Sequence, residues 1–287
     1  MSLLIYFKKI SDWVIRLNYK YNECNVLFFR YSDNKMLDKI VLITGASRGL
    51  GLEIVKQLCQ RTKNETSSKI LATCRSPENA SELQKLSDNS NLIIEKLDVK
   101  DFSSYPKFVD AIRPIVQTEG ISCLINNAGI SPKSTKYDRV TTEQMAETFM
   151  TNTIAPLMFS REMLPFLKTA ASKNTADGSL IVNMSSILGS IELNDPKSGI
   201  GSGGVYPYRA SKSALNMITR SLSLDVKHMN VNVVAIHPGW VKTDMGGKNA
   251  PLTPEESISK IINVIQNYDS EQYNGCLIDY KGQKLPF

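Results

Sequence analysis

The strongest constraint on the fold is a short apolar run, Ile40 to Ile43, that ends abruptly in Thr44-Gly45-Ala46-Ser47-Arg48-Gly49-Leu50-Gly51. A helical pattern follows at once, with Leu50, Ile54, Val55 and Leu58 spaced three or four residues apart. The stretch predicts a buried strand, a tight glycine turn and a helix N-terminus. Such a helix start presents unpaired backbone N–H groups and a positive dipole end, so it attracts phosphate. Its glycines can turn the chain, admit a pyrophosphate to the backbone, or let helix and strand pack closely. The spacing is Gly-x-x-x-Gly-x-Gly, not the commoner Gly-x-Gly-x-x-Gly. A strand–helix connection that merely needs small residues would look similar, so other residues must decide.

The rest of the chain repeats this alternation. Apolar runs at Ile40–Thr44, Ile70–Cys74, Leu92–Leu97, Ile121–Ile125, Ser179–Met184, Val231–His237 and Cys276–Asp279 read as strands covered on both faces. Helix-length segments lie between them: Leu50–Arg61, Asn79–Leu86, Tyr105–Gln117, Thr142–Ala171, Tyr208–Lys227 and Pro254–Asn267. Thr253-Pro254-Glu255-Glu256 reads as an N-cap with proline and acids in the first turn. Strands alternating with helices imply right-handed βαβ units. The expected architecture is α/β: one domain, residues 39–287, built on a doubly wound parallel sheet of about seven strands with helices on both faces. Ligands of such sheets bind beyond the carboxyl ends of the strands.

Composition narrows the partners. The net charge of +6 comes from Lys and Arg spread along the chain, without the basic stripe of a nucleic-acid binder. The five cysteines (Cys24, Cys59, Cys74, Cys123 and Cys276) show no metal-ligand spacing, and several sit in apolar runs. This points to a reducing, cytoplasmic setting, and two histidines make a histidine-based metal site unexpected. Residues 1–38 break the pattern. They carry Leu3, Leu4, Ile5, Phe7, Ile10, Trp13, Val14 and Leu17, interrupted by Lys8, Lys9, Asp12 and Arg16. No apolar run there reaches the roughly 18 residues of a bilayer span. A surface-lying amphipathic helix and a targeting sequence remain open; a peripheral extension is expected.

The strand ends carry the chemistry. The second strand ends in Thr73-Cys74-Arg75, where NAD-binding sheets usually place an acid for the adenosine ribose. Arg75 there and Arg48 in the glycine loop suit a ribose 2′-phosphate, since guanidinium binds phosphate through paired N–H groups. NADP(H) is therefore expected over NAD(H). Asp98 ends the third strand, placed to accept from an adenine amino group or to cap a helix, for which Asp101 is the better candidate. Asn126-Asn127-Ala128-Gly129 follows the fourth strand and is by itself also a turn signal. The fifth strand ends in Met184-Ser185-Ser186, and Tyr208-Arg209-Ala210-Ser211-Lys212 comes downstream. Tyr208 and Lys212 lie one helical turn apart on one face. An ammonium beside a phenol is expected to lower its pKa and make it an acid–base group near neutral pH. A serine hydroxyl can hold a substrate oxygen beside it. The set suits hydride transfer to a carbonyl, with Tyr208 giving the proton.

Together, Thr44 to Gly51, Asp98, Asn126 to Gly129, Asn152, Ser186, Tyr208, Lys212 and Pro238-Gly239 resemble the short-chain dehydrogenase/reductase family across residues 39–287. Asn183 to Ser190 and His237 to Met245 look most like its C-factor and sniffer-type carbonyl reductase branch. The resemblance implies a Rossmann-type sheet and catalytic roles for Ser186, Tyr208, Lys212 and Asn152, the last holding a relay water. It implies cofactor contacts at Gly45, Ser47, Arg48, Gly49, Leu50, Gly51, Arg75, Asp98, Val99, Asn126, Ala128, Gly129, Tyr208 and Lys212. Pro238, Gly239, Val241 and Thr243 would line the nicotinamide. Ser186 rather than Ser185 matches the family serine, and His237 is read as structural. Ser186 and Tyr208 stand 22 positions apart, longer than the family pattern, the excess being the Glu192–Gly204 loop. The expected function is NADP(H)-dependent reduction of a ketone, aldehyde or quinone. Alternatives are a nucleotide-binding signalling protein with little turnover and a secondary-alcohol dehydrogenase working oxidatively. The expected partners are a small carbonyl substrate and a second copy, with no nucleic acid and no integral membrane span.

Overall fold

The computed structural model describes residues 36–287, apart from positions 64–66, 134, 175 and 202. The expected extension thus lies outside the described residues, except for its last three. Met36–Asp38 form a single 3-10 turn with Met36 and Leu37 buried. Ser122 Oγ donates to Met36 O at 2.7 Å, and Arg61 pairs with Asp38 at 2.6 Å. Packing of the domain therefore begins no later than Met36, ahead of the expected Lys39.

The described residues form one eight-stranded sheet in the order β3-β2-β1-β4-β5-β6-β7-β8. The strands are β1 Ile40–Thr44, β2 Lys69–Cys74, β3 Leu92–Lys96, β4 Cys123–Asn126, β5 Ser179–Met184, β6 Val231–His237, β7 Leu277–Asp279 and β8 Lys284–Leu285. All pairings from β1 to β7 are parallel, and β8 is antiparallel to β7. β8 is one strand more than the sequence pattern indicated. Its two residues, exposed Lys284 and partly buried Leu285, give no apolar run to detect.

Six principal helices cover the sheet: α1 Gly49–Arg61, α2 Tyr105–Val116, α3 Thr142–Phe149, α4 Ala155–Lys173, α5 Tyr206–Asp225 and α6 Pro254–Gln266. The strand side chains alternate between two cores. Val41 and Ile43 of β1 join Ile54, Val55 and Leu58 of α1 and Ile258 and Ile261 of α6. Ile40 and Leu42 join Phe108 and Ile112 of α2 and Phe159, Met163 and Leu167 of α4. That alternation against two helical layers explains why the strands read as continuous apolar runs. α6 begins with the expected Thr253 cap, completed as a capping box by Glu256.

Two helical expectations are corrected. Asn79–Leu86 reduces to a 3-10 turn, Pro77–Asn79, and one helical turn, Ser81–Gln84. The long Thr142–Ala171 helix is interrupted by a π-helical turn, Met150–Ile154. Thr151 Oγ1 donates to Glu147 O within the helix and Thr153 Oγ1 to Ser211 O on a distant segment, bonds that periodicity cannot register. No helix among the described residues is long and apolar enough to cross a membrane.

Candidate active site

The strand order reverses between β1 and β4, so a crevice opens beyond their carboxyl ends. The glycine loop leaves β1 there. Gly45 has φ +69° and rests against Ala128 Cα, so a side chain is excluded by both conformation and space. A Cβ at Gly51 would run into Gly45 O and Asn127 Nδ2. Asn127 clamps the loop, its Nδ2 donating to Thr44 O at 3.0 Å and Gly45 O at 3.1 Å. Thr44 Oγ1 in turn accepts from Asn127 N and Ala128 N. Neither Thr44 nor Asn127 was among the expected ligand contacts; the doubled amide after β4 was the available signal.

This cradle fits a phosphate-bearing cofactor. Arg48, at the N-cap of α1, provides no side-chain cap, and the first turn of α1 holds no acid. The helix-end N–H groups therefore keep capacity for an anion. Ser47, Gly49 and Leu50 are partly buried around them. The arginines divide. Arg75 stands exposed at the end of β2, whereas Arg48 Nη1 pairs with Asp244 Oδ2 at 2.6 Å. Asp98 Oδ1 accepts from Lys100 N at 3.0 Å, an Asx turn that fixes the carboxylate at the end of β3, beside the partly buried Val99. Asn126 Nδ2 instead points into the protein, donating to Ser160 Oγ at 3.0 Å and Asn183 Oδ1 at 2.9 Å.

On the other side of the crevice, β5 delivers Ser185 and Ser186. Ser185 Oγ donates to Asn216 Oδ1 at 2.6 Å, away from the crevice. Ser186 Oγ accepts from Leu188 N at 3.1 Å, and its hydroxyl is placed to hold the Tyr208 phenol down in pKa. Tyr208 lies in the first turn of α5, half-buried. Val205, at φ 49° and ψ 38°, turns the chain into that helix. Left-handed backbone is rare for a β-branched residue and costs on the order of 1–3 kcal/mol.

Lys212 follows one turn later, 5% exposed. Its Nζ donates to Met184 O at 2.7 Å and sits 5.6 Å from the Tyr208 ring centroid. A Cβ placed at Gly129 would lie 3.8 Å from Lys212 Nζ and 3.3 Å from Asn152 Oδ1, so lysine and asparagine converge on that glycine. Asn152, in the π turn, accepts from Ile130 N and donates to Ile130 O, each at 2.9 Å, and to Ser211 Oγ at 3.1 Å. The turn thus aims this amide across to α5.

The electrostatics differ from expectation. Burial pushes the Tyr208 phenol above its ordinary value, and the Ser186 bond opposes this only in part. Burial lowers Lys212 itself to about 8. Tyr208 therefore keeps its proton at neutral pH, the state of an acid rather than a base.

The last wall is the chain after β6. Pro238 O accepts from Ser257 Oγ at 2.7 Å, and Gly239 turns at φ +83° against Leu252 and Tyr280. Val241 is buried and bridges to Leu252. Thr243 Oγ1 accepts from Gly246 N at 3.1 Å, and its methyl faces Gly49. His237 is packed at the end of β6, and burial drops its pKa to about 4. The Glu192–Gly204 loop is tied back by Arg209 Nη2, donating to Gly201 O at 2.8 Å, and by Glu192 N, donating to Phe287 O at 3.1 Å.

Known proteins resemble this chain in sequence and fold. The short chain dehydrogenase family model matches residues 39–252. The carbonyl reductase Sniffer of D. melanogaster is 41% identical, with a TM-score of 0.80 over 87% of this chain and 99% of its own. A carbonyl reductase from chicken fatty liver, solved with NADPH bound, is 38% identical with a TM-score of 0.79 over 87% and 99% of the two chains. The C-signal protein of Myxococcus xanthus is 37% identical over 172 residues, 60% of this chain and 96% of its own.

Proposed function

This chain belongs to the short-chain dehydrogenase family, and from that membership we propose that it reduces a ketone, aldehyde or quinone to an alcohol using NADP(H). Residues 39–287 carry the reaction in this reading. The observation that carries it is the placement of Lys212 Nζ 5.6 Å from the Tyr208 ring and 2.7 Å from Met184 O, at the strand end that also delivers Ser186. The NADPH-bound carbonyl reductase relative supports the choice of cofactor.

The glycine loop and the N-terminus of α1 hold the pyrophosphate, with Gly45, Gly49 and Gly51 keeping side chains out of its way. Arg75 takes the 2′-phosphate. Pro238, Gly239, Val241 and Thr243 line the nicotinamide end. When bound, NADPH supplies the hydride that adds to the carbonyl carbon. Ser186 holds the carbonyl oxygen next to Tyr208, and Tyr208 gives that oxygen its proton. Lys212, still mostly charged at pH 7 with a pKa of about 8, replenishes the proton together with Asn152. The Glu192–Gly204 loop shapes the substrate entrance. NADPH consumption across a panel of ketones, aldehydes and quinones tests the reading; cofactor binding without turnover on any of them would refute it.

A further inference from the structure

We infer that Asp244 restrains cofactor binding by occupying Arg48, and so sets how tightly the phosphate-bearing cofactor is held; this rests on the proposed use of NADP(H). Arg48 stands at the lip of the glycine cradle, at the N-cap of α1. Its Nη1 lies 2.6 Å from Asp244 Oδ2, although the two residues are 196 positions apart.

The two sides of the pair differ in stiffness. Asp244 belongs to a turn with its own bonds: Trp240 Nε1 to Gly246 O at 2.7 Å, Gly246 N to Thr243 Oγ1 at 3.1 Å, and Gly247 N to Thr243 O at 2.8 Å. None of these uses the Asp244 side chain. The Thr243 methyl faces Gly49, which seats this turn against the cradle. The carboxylate is therefore presented by a formed scaffold, while the arginine side chain projects into solvent from the N-cap of α1. Both side chains are largely exposed, at 75% and 80%, so the pair is not demanded by core packing.

A guanidinium committed to a carboxylate cannot give the same N–H groups to a phosphate. Cofactor that recruits Arg48 must first release it from Asp244, and the measured affinity falls by the cost of that release. Arg75, which forms no ion pair among the described residues, meets no such competition. The two arginines thus have separate jobs: Arg75 selects the 2′-phosphate, and Arg48 is held in reserve, making binding weaker and release faster.

Dissociation constants for NADPH and NADH, read by nicotinamide fluorescence, test this with the native protein, Asp244→Asn, Arg48→Gln and the double variant. Asp244→Asn is expected to tighten NADPH roughly two- to fivefold, the range for an exposed ion pair, and to lose that effect in the Arg48→Gln background. Weaker binding by Asp244→Asn would make the pair a clasp that closes over bound cofactor, overturning the inference. Equal tightening without Arg48 would mean that Asp244 acts through its charge alone, and no change would dismiss it; either result is contrary. Asp244→Ser repeats the test should the first variant not fold. A native protein that binds neither nucleotide would also remove the NADP(H) reading. Normal NADPH binding with an unresponsive Asp244→Asn would remove this inference alone.

Discussion

Lys212 Nζ donates to Met184 O at 2.7 Å, joining the first turns of α5 to the end of β5. The bond fixes Tyr208 beside Ser186 and keeps an ammonium in a buried place. Burial brings that amine from its ordinary 10.5 to about 8. Between those values the unfolded chain binds more protons, so stability rises with pH there; below about 8 the full cost is present. Lys212→Met should raise stability at pH 7 by about 1–3 kcal/mol while abolishing reduction. Urea unfolding at pH 7 and 9.5 checks it, and the gain should be smaller at the higher pH.

His237 acts with the same sign in a more acid window. Its pKa drops from 6.5 to about 4 through burial, against a partial upward pull from Asp279. Its folded pKa is depressed, so the stability is present above 6.5 and lost as pH falls towards 4. Lowering the pH from 7 to 5 should cost about 2 kcal/mol at this site. His237→Asn should flatten that part of the urea-midpoint profile.

Arg75 should determine cofactor choice. Arg75→Ala is expected to weaken NADPH binding roughly tenfold or more, the loss of charge-assisted bonds to one phosphate. NADH binding should change by less than about twofold. Paired fluorescence titrations decide it.

Gly51 has no room for a methyl group between Gly45 O and Asn127 Nδ2. Gly51→Ala should spread the cradle, costing about 1–3 kcal/mol in stability and weakening both nucleotides together. A thermal melt and the same titrations show whether the two losses coincide.

Most of the fold was legible because β1 to β7 are covered on both faces and leave continuous apolar runs such as Val231–His237. β8 was not, since two edge residues, one of them exposed, carry no periodicity. The π turn at Met150–Ile154 was hidden because its bonds depend on Ser211, far along the chain. Tyr208, Lys212 and Ser186 were legible from spacing and order, and the structure brings them together. Their ionisation was not, because spacing says nothing of burial or of Met184 O as the lysine's acceptor. Nor could it show that Asn126 turns inward while Asn127 clamps the loop, or that Arg48 meets Asp244, since each depends on contacts between distant segments.

The central claim is that Tyr208 donates the proton in an NADPH-dependent carbonyl reduction. The most direct measurement compares native protein with Tyr208→Phe, following both NADPH binding and NADPH consumption with the best carbonyl of the panel. Turnover should fall by about a hundredfold or more, the range for loss of a general acid, with the NADPH dissociation constant little changed. Equal turnover in the two proteins would contradict the account.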